Sequence, residues 1–338
     1  MYKHNLAIFC KTCYRDVENL KILLESITKY NAEKIPVCLC FSRKEKELLL
    51  PIINNYQNNI TVFFDEDICT ITDKYNDQFM QDWMSQQYVK LNFYKTNFAK
   101  HYLLIDTDCY FIKEFRIKNF LYKEEIPYLP ITGHTKAERL PLQLIYQNDL
   151  TFNRELDAIS KFLDYEGNNI TIDMPFVLSS EYMQRFDEYL KNKNYTFKDI
   201  LSIVPNEMQW YLEFCIANEL KYKYTTSFFF PMHIDAQYQI FRWLGYDENI
   251  IKKNYLGILM NKGHVKSLKF RPLWIGTCII RPLIRILYLL TRKRYDYPRK
   301  YNLFAHIFSI KNEYRTNGKK YKVLTILGIK MKFRIHNI

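Results

Sequence analysis

Four largely apolar residues, Tyr102-Leu-Leu-Ile105, run into Asp106-Thr-Asp108 and then into Cys109-Tyr-Phe111. A buried strand excludes charge, because an unpaired carboxylate in a dry core is very costly. The strand must therefore end where the acids begin, and its end must open onto something that accepts two negative charges. Strand alternation puts residues i and i+2 on one side, so Asp106 and Asp108 can converge on one divalent cation. Mg²⁺ or Mn²⁺ held by such carboxylates commonly also grips a phosphate, which points to a nucleotide or nucleotide-sugar ligand. The same residues also fit a strand that closes in an Asp-rich turn.

The flanking pattern supplies the fold class. Residues 6–10, 35–41, 60–64 and 102–105 read as strands, and 16–30, 44–55 and 83–100 read as helices. In the first helix Val17, Leu20, Leu23, Leu24 and Ile27 recur at the spacing of one helical face. This alternation predicts an α/β fold with a mostly parallel, Rossmann-like sheet flanked by helices. Ligands of such sheets bind at the carboxyl ends of strands, where Asp106 and Asp108 stand. Pro127, Pro130, Gly133 and Pro141 predict loop over 124–151. Beyond it, 170–178 reads as strand, 180–190 and 207–217 as helices, and 222–230 as an aromatic β-like run ending at Pro231-Met-His233.

Charge divides the chain at residue 265. Residues 266–338 hold 18 Lys and Arg against 2 acids, a net of +16, and 1–265 hold 31 against 34, a net of −3. We therefore expect a body over 1–265 and a basic region over 266–338 with an anionic surface as partner. Residues 273–290 are mostly apolar but are interrupted by Arg281, Pro282 and Arg285. Two arginines in mid-span are expensive in lipid, so an in-plane amphipathic helix on an anionic leaflet is expected in preference to a crossing. An ordinary helix covering the core with a basic outer face is the alternative. The last stretch reads as two basic strands around Gly328. A nucleic-acid partner suits this tail less well, because its basic residues flank an apolar run.

Eight cysteines, at 10, 13, 38, 40, 69, 109, 215 and 278, fall mostly inside apolar segments. The pairs Cys10–Cys13 and Cys38–Cys40 have zinc-like spacing, but no second Cys-x-x-Cys lies nearby, so reduced core thiols are expected. The opening Met1-Tyr-Lys-His lacks the apolar stretch of a secretory signal, which predicts a protein in a reducing cytoplasm, and the basic region would make it peripheral on the inner membrane's cytoplasmic face.

With these motifs placed, the chain resembles bacterial GT-A-type glycosyltransferases, especially the DUF6492-like group associated with surface polysaccharide and lipopolysaccharide assembly. The likeness spans roughly residues 5–240 by pattern. Cys10-Lys-Thr-Cys-Tyr-Arg-Asp16 looks like the group's nucleotide-binding opening, and Trp83-Met-Ser-Gln-Gln87-Tyr-Val-Lys90-Leu like its Trp-x-x-Gln-Gln-x-x-Lys-Leu helix. Asn206-Glu207-Met-Gln209-Trp-Tyr211 is similar to its Ser-Glu-Tyr-Glu-x-Tyr segment near the acceptor, with Asn and Gln replacing Ser and an acid. The run around Gly328 looks like tails of lipopolysaccharide-building transferases.

This resemblance implies a GT-A-like catalytic domain that moves a sugar from a nucleotide-sugar donor to a lipid-linked surface glycan. It implies Mn²⁺ or Mg²⁺ on Asp106 and Asp108, with Asp108 the stronger direct ligand and His233, then His264, as third ligand. Asp16 is expected to help hold base or ribose, and it fits equally as a helix N-cap. Lys90 is expected to face the donor phosphates, or to be a solvated helix lysine. Glu207 is the expected catalytic base if the anomeric centre inverts. It also fits as an acid favoured by a helix N-terminus. Asp173, before Pro175, suits either the acceptor pocket or a turn cap. A nucleotidyltransferase or sugar-nucleotide pyrophosphorylase is the competing enzyme class, but residues 10–16 contain no glycine for a phosphate loop. A non-catalytic membrane-associated nucleotide-sugar-binding protein is the third reading.

Overall fold

A strand without charge until its last residue organises the main sheet. In the computed structural model β1 (His4–Lys11) is buried from Leu6 onward. Its neighbours are β2 (Val37–Phe41) and β4 (Ala99–Leu104), both parallel to it. β3 (Ile60–Phe64) extends the parallel side, and β8 (Phe176–Ser179) closes the other edge antiparallel to β4. The order is β3-β2-β1-β4-β8. Near-continuous apolar runs such as Leu6–Phe9 suit strands covered on both faces. The structure describes residues 2–56, 59–68, 83–131, 150–166, 172, 174–233, 235–261, 265, 268–283 and 286, together with the backbone of three C-terminal strands.

Among the described helices, α1 (Val17–Tyr30) and α2 (Lys46–Ile53) follow β1 and β2, and the short α3 (Asp65–Ile68) follows β3. α4 (Trp83–Asn92) precedes β4; α5 (Leu150–Leu163), α6 (Ser180–Asn192), α7 (Phe197–Ile203) and α8 (Glu207–Ala217) surround β8. α8 packs against α4, α5 and α6 and is apolar nearly all round, with Trp210, Tyr211, Leu212, Phe214 and Cys215 buried. A helix of that kind belongs in the interior.

A second sheet starts just past the acids. β5 (Cys109–Phe111) lies antiparallel to β11 (Gly257–Met260), which runs parallel to β10 (Phe229–Met232). Period-two alternation makes this sheet a wall between two cores. Cys109, Phe111, Phe229 and Leu259 face the main core, whereas Tyr110, Phe230, Ile258 and Met260 face a second one with Tyr238, Phe241, Val265 and Phe270. α9 (Asp235–Trp243) and α10 (Glu248–Ile251) cover that second core. β6 (Leu121–Tyr122), β7 (Ile126–Ile131) and β9 (Lys223–Thr226) form a small third sheet. At the C-terminus β12 (Phe308–Tyr314), β13 (Lys320–Ile326) and β14 (Ile329–Arg334) make an antiparallel meander, one strand more than the expected pair.

Three expectations are corrected. The helix expected over 83–100 ends at Asn92 and passes through a 3-10 turn, Phe93–Thr96, into left-handed Asn97 (φ 51°), a conformation Asn tolerates better than most residues. Part of the loop expected over 124–151 is β7, whose Pro127 and Pro130 are accommodated beside a two-residue partner and at the ladder to β9. The aromatic run at 222–230 splits into β9 and β10, which join different sheets. Residues 132–149, Asp173 and His264 lie outside the described residues.

Within α8, Glu213 is fully buried. Its Oε1 accepts from Gln209 Nε2 at 2.6 Å, while Oε2 has no hydrogen-bond partner. Burial pushes this carboxyl up to about 8, from an ordinary value of 4.5. The folded chain thus keeps a proton that the unfolded chain releases, and stability falls as pH rises across that window. Urea titrations from pH 4 to 9 should show wild type losing up to ~1.4 kcal/mol per pH unit more than Glu213→Gln inside the window. Parallel pH profiles would show that Glu213 is ionised in the fold.

Candidate functional site

The sequence expectation put Asp106 and Asp108 on one strand face. β4 stops at Leu104, however, and Asp106-Thr-Asp108 forms a tight turn in which the Cys109 amide donates to the Asp106 carbonyl at 3.1 Å. The turn crosses the seam between the sheets. On one side the Ile105 amide donates to Phe9 of β1 at 3.0 Å; on the other the Met260 amide donates to the Asp108 carbonyl at 2.8 Å. Both aspartates are half-buried, at the carboxyl end of the parallel strands. Their charges meet at Cys10, at the end of β1. Burial first, then the carboxylate of Asp106 and, more weakly, that of Asp108 hold its thiol well above the usual range, against Lys90 and Lys11.

Lys90 is the centre of the site. Its ammonium is buried, 2.8 Å from Asp106 Oδ1 and 3.0 Å from Glu207 Oε1. Burial pulls its pKa down, but the two carboxylates more than offset this, and the group lies above the ordinary lysine value. Helix geometry places the contact: Gln87 and Lys90 are i and i+3 on α4, hence on one face. Gln87 Oε1 accepts the Glu207 amide at 3.1 Å, so α4 grips the first turn of α8 by side chain and backbone together. Asn206 caps α8 by accepting from the Gln209 amide at 3.0 Å, the role a Ser would fill. Glu207 therefore sits in the first turn, where the macrodipole favours an acid, and also reaches into the site. Lys90 is committed to two carboxylates instead of standing toward open solvent.

A second ion pair lies at the same end of the sheet. Lys11 Nζ is 3.1 Å from Asp65 Oδ2 and donates to the Thr12 carbonyl at 2.9 Å, while Cys40 Sγ donates to Asp65 Oδ1 at 3.2 Å. Burial raises the Asp65 carboxyl and Lys11 opposes it. Sequence reading missed this pair. The signal was present, since Asp65 is the first acid after an apolar strand, as Asp106 is. Asp16 ends a 3-10 turn and makes no side-chain cap to α1; it accepts from Cys13 Sγ at 3.4 Å.

His233 stands at the end of β10, its amide donating to Gln237 Oε1 at 2.9 Å. The register Met232↔Met260, with Met260 bonded to Asp108, aligns Asp108 and His233 at one end of the second sheet, two strand spacings or about 10 Å apart. Among the described residues no group of three or more His, Cys, Asp or Glu is arranged to hold a metal ion by itself. The residues present still fit Mg²⁺ or Mn²⁺, which take one or two carboxylates and complete their shell with phosphate and water oxygens. Asp106 and Asp108 supply such hard donors. The thiols do not compete, because Cys10, Cys38, Cys40, Cys109 and Cys215 are buried and burial pushes the Cys10 and Cys38 thiols up.

Fold and site together define an α/β protein with paired carboxylates where its main and second sheets meet. Residues 6–250 match the model of a family of unknown function (DUF6492), and the chain belongs to that family. No curated protein matches its sequence. Among solved structures, the crystal structure of mouse xyloside xylosyltransferase 1, apo form, is similar with a TM-score of 0.42 and 8% identity, over 77% of this chain and 98% of that one.

A buried ammonium shared by two acids predicts an asymmetric mutational response. Lys90→Met strands the buried Glu207 carboxylate and should cost about 3–5 kcal/mol in urea unfolding at pH 7. Adding Glu207→Gln to Lys90→Met should recover part of that loss. An additive or neutral outcome would show that the two groups do not interact in solution.

Proposed function

We propose that this protein is a metal-dependent glycosyltransferase that moves a sugar from a nucleotide-sugar donor to a lipid-linked surface glycan. The observation that carries the reading is the Asp106–Lys90–Glu207 chain, with Asp108 beside it, at the carboxyl end of the parallel strands. It joins a phosphate-metal type of carboxylate turn to a buried acid on a different helix. One carboxylate set can serve the donor and another the acceptor.

Asp106 and Asp108 would hold Mg²⁺ or Mn²⁺, with His233 the candidate for a further ligand, and there the ion would supply Lewis-acid stabilisation to the charge of the departing diphosphate. Lys90 fixes the rotamers of Asp106 and Glu207 and limits their mutual repulsion. Glu207 takes the proton of the acceptor hydroxyl as its oxygen bonds to the anomeric carbon and the bond to the diphosphate breaks. Asp16, in the turn after β1, is the candidate to hold base or ribose, and the Lys11–Asp65 pair lies at the same end of the sheet. We take the acceptor to be a lipopolysaccharide, lipooligosaccharide or capsule precursor, a reading that suits a +16 region able to bring the enzyme to an anionic inner-membrane face.

Titration calorimetry of UDP, CMP and GDP, with and without Mn²⁺, tests the centre of the reading. At least one nucleotide should bind in a Mn²⁺-dependent way, and Asp108→Ala should abolish the dependence; a variant that keeps it removes the assignment. Glu207→Gln should keep metal-dependent donor binding and lose about 10²–10⁴-fold in turnover. Near-normal turnover would move the base elsewhere or indicate retention of configuration.

A further inference from the structure

Two of the chain's 8 glycines meet where the helix after the second core lands on the body. The segment 274–283 is helical, with Gly276–Ile280 in π geometry. A Cβ on Gly276 would stand 2.5 Å from the Arg242 carbonyl oxygen and 2.6 Å from that of Trp243, and one on Gly245 (φ +69°) would run into the Gly276 backbone. The other fastenings are polar. Leu273 donates its amide to the Arg242 carbonyl at 3.3 Å, Arg242 Nε donates to the Arg271 carbonyl at 2.6 Å, and Arg281 Nη1 pairs with Asp247 Oδ2 at 3.1 Å.

The helix is thus fixed by backbone and charge, and its large apolar side chains are left over. Trp274 is 72% exposed, Ile279 43%, Leu283 53% and Ile286 51%. Ile279 and Leu283 lie four residues apart on this segment, with Ile286 exposed beyond them. On α9, across the glycine contact, Ile240 and Trp243 are 44% and 49% exposed at i and i+3. Soluble surfaces rarely leave so many large apolar side chains together without a partner.

We propose that this helix pair is a preformed, in-plane docking surface for an anionic lipid bilayer. Charge selects the occupant. The surface opens the region 266–338, which carries +16, and exposed Lys269 and Arg271 flank it. A second copy would bring +16 against +16, a repulsion that opposes self-association, whereas anionic headgroups are complementary. Tryptophans beside exposed aliphatic side chains suit the bilayer interface. Among the described residues no helix is long and apolar enough to cross a membrane, and Arg281 and Arg285 would be costly in mid-span, which suits a surface-lying orientation. The surface also has a fixed relation to the candidate site, since β10 delivers His233 directly into α9.

The test uses the full chain and phosphatidylcholine vesicles with and without phosphatidylglycerol. Wild type should sediment with the anionic vesicles, and brominated lipid should quench its tryptophan emission. Trp274→Ser/Ile279→Ser/Leu283→Ser replaces only exposed side chains; it should weaken partitioning by at least about tenfold and relieve the quenching. Unchanged partitioning of the triple variant, unquenched wild type, or equal binding to neutral vesicles would each overturn the proposal. A wild-type dimer in equilibrium sedimentation that the variant dissolves would assign the surface to a second copy instead. Mn²⁺-dependent nucleotide binding, read on the same samples, reports the transferase reading separately.

Discussion

An ammonium buried among carboxylates holds the candidate-site end of this molecule together. Lys90 alone would be intolerable in the interior, and so would Glu207; each makes the other affordable. Their bond ties α4 to the first turn of α8, and the second bond ties both to the turn after β4. Two elements that flank β4 and a third whose Glu207 lies 117 residues beyond Lys90 thus converge through one Nζ atom. The Gln87 carbonyl adds a backbone contact to Glu207, so the helix pair is set in register as well as in charge.

The charge left over explains what such a site attracts. Asp106, Asp108 and Glu207 against Lys90 give three formal negative charges and one positive, a sum of −2. The Lys11–Asp65 pair beside them is neutral as a unit. A nucleoside diphosphate is itself anionic and is repelled by that sum. On the proposed reading, donor and divalent cation must therefore arrive together, which is why the turn carries two acids.

Much of this was legible in the sequence for a definite reason. β1, β2, β3 and β4 are apolar runs that end at polar residues, and the Asp-x-Asp stood out because charge follows apolarity without a turn residue between. α8 was placed at its true bounds, Glu207–Ala217, because Pro205 and Asn206 mark its start. What was not legible depends on tertiary pairing. Lys90 gives no sign in its helix that two carboxylates await it. Asp65 carries the same strand-end signal as Asp106, yet its partner Lys11 lies 54 residues earlier, reachable only through the parallel register of β1, β2 and β3. β5 and β11 are short strands whose pairing is set by the sheet rather than by length or periodicity. The turn geometry of Asp106-Thr-Asp108 likewise follows from the switch between sheets, which no local pattern encodes.

That switch gives the asymmetry of the chain its use. The last strand before the acids, β4, ends at Leu104 and β5 of the second sheet begins at Cys109, so the two acids sit between two bodies of packing. Behind Asp108, β11 and β10 lead through His233 to α9, and α9 leads through the Gly245–Gly276 contact to the exposed helix. At that contact the two backbones meet directly, since neither glycine carries a Cβ to hold them apart. On the proposed readings, the body of net −3 and the region of net +16 would serve separate partners, one side a cation with its anion and the other a surface.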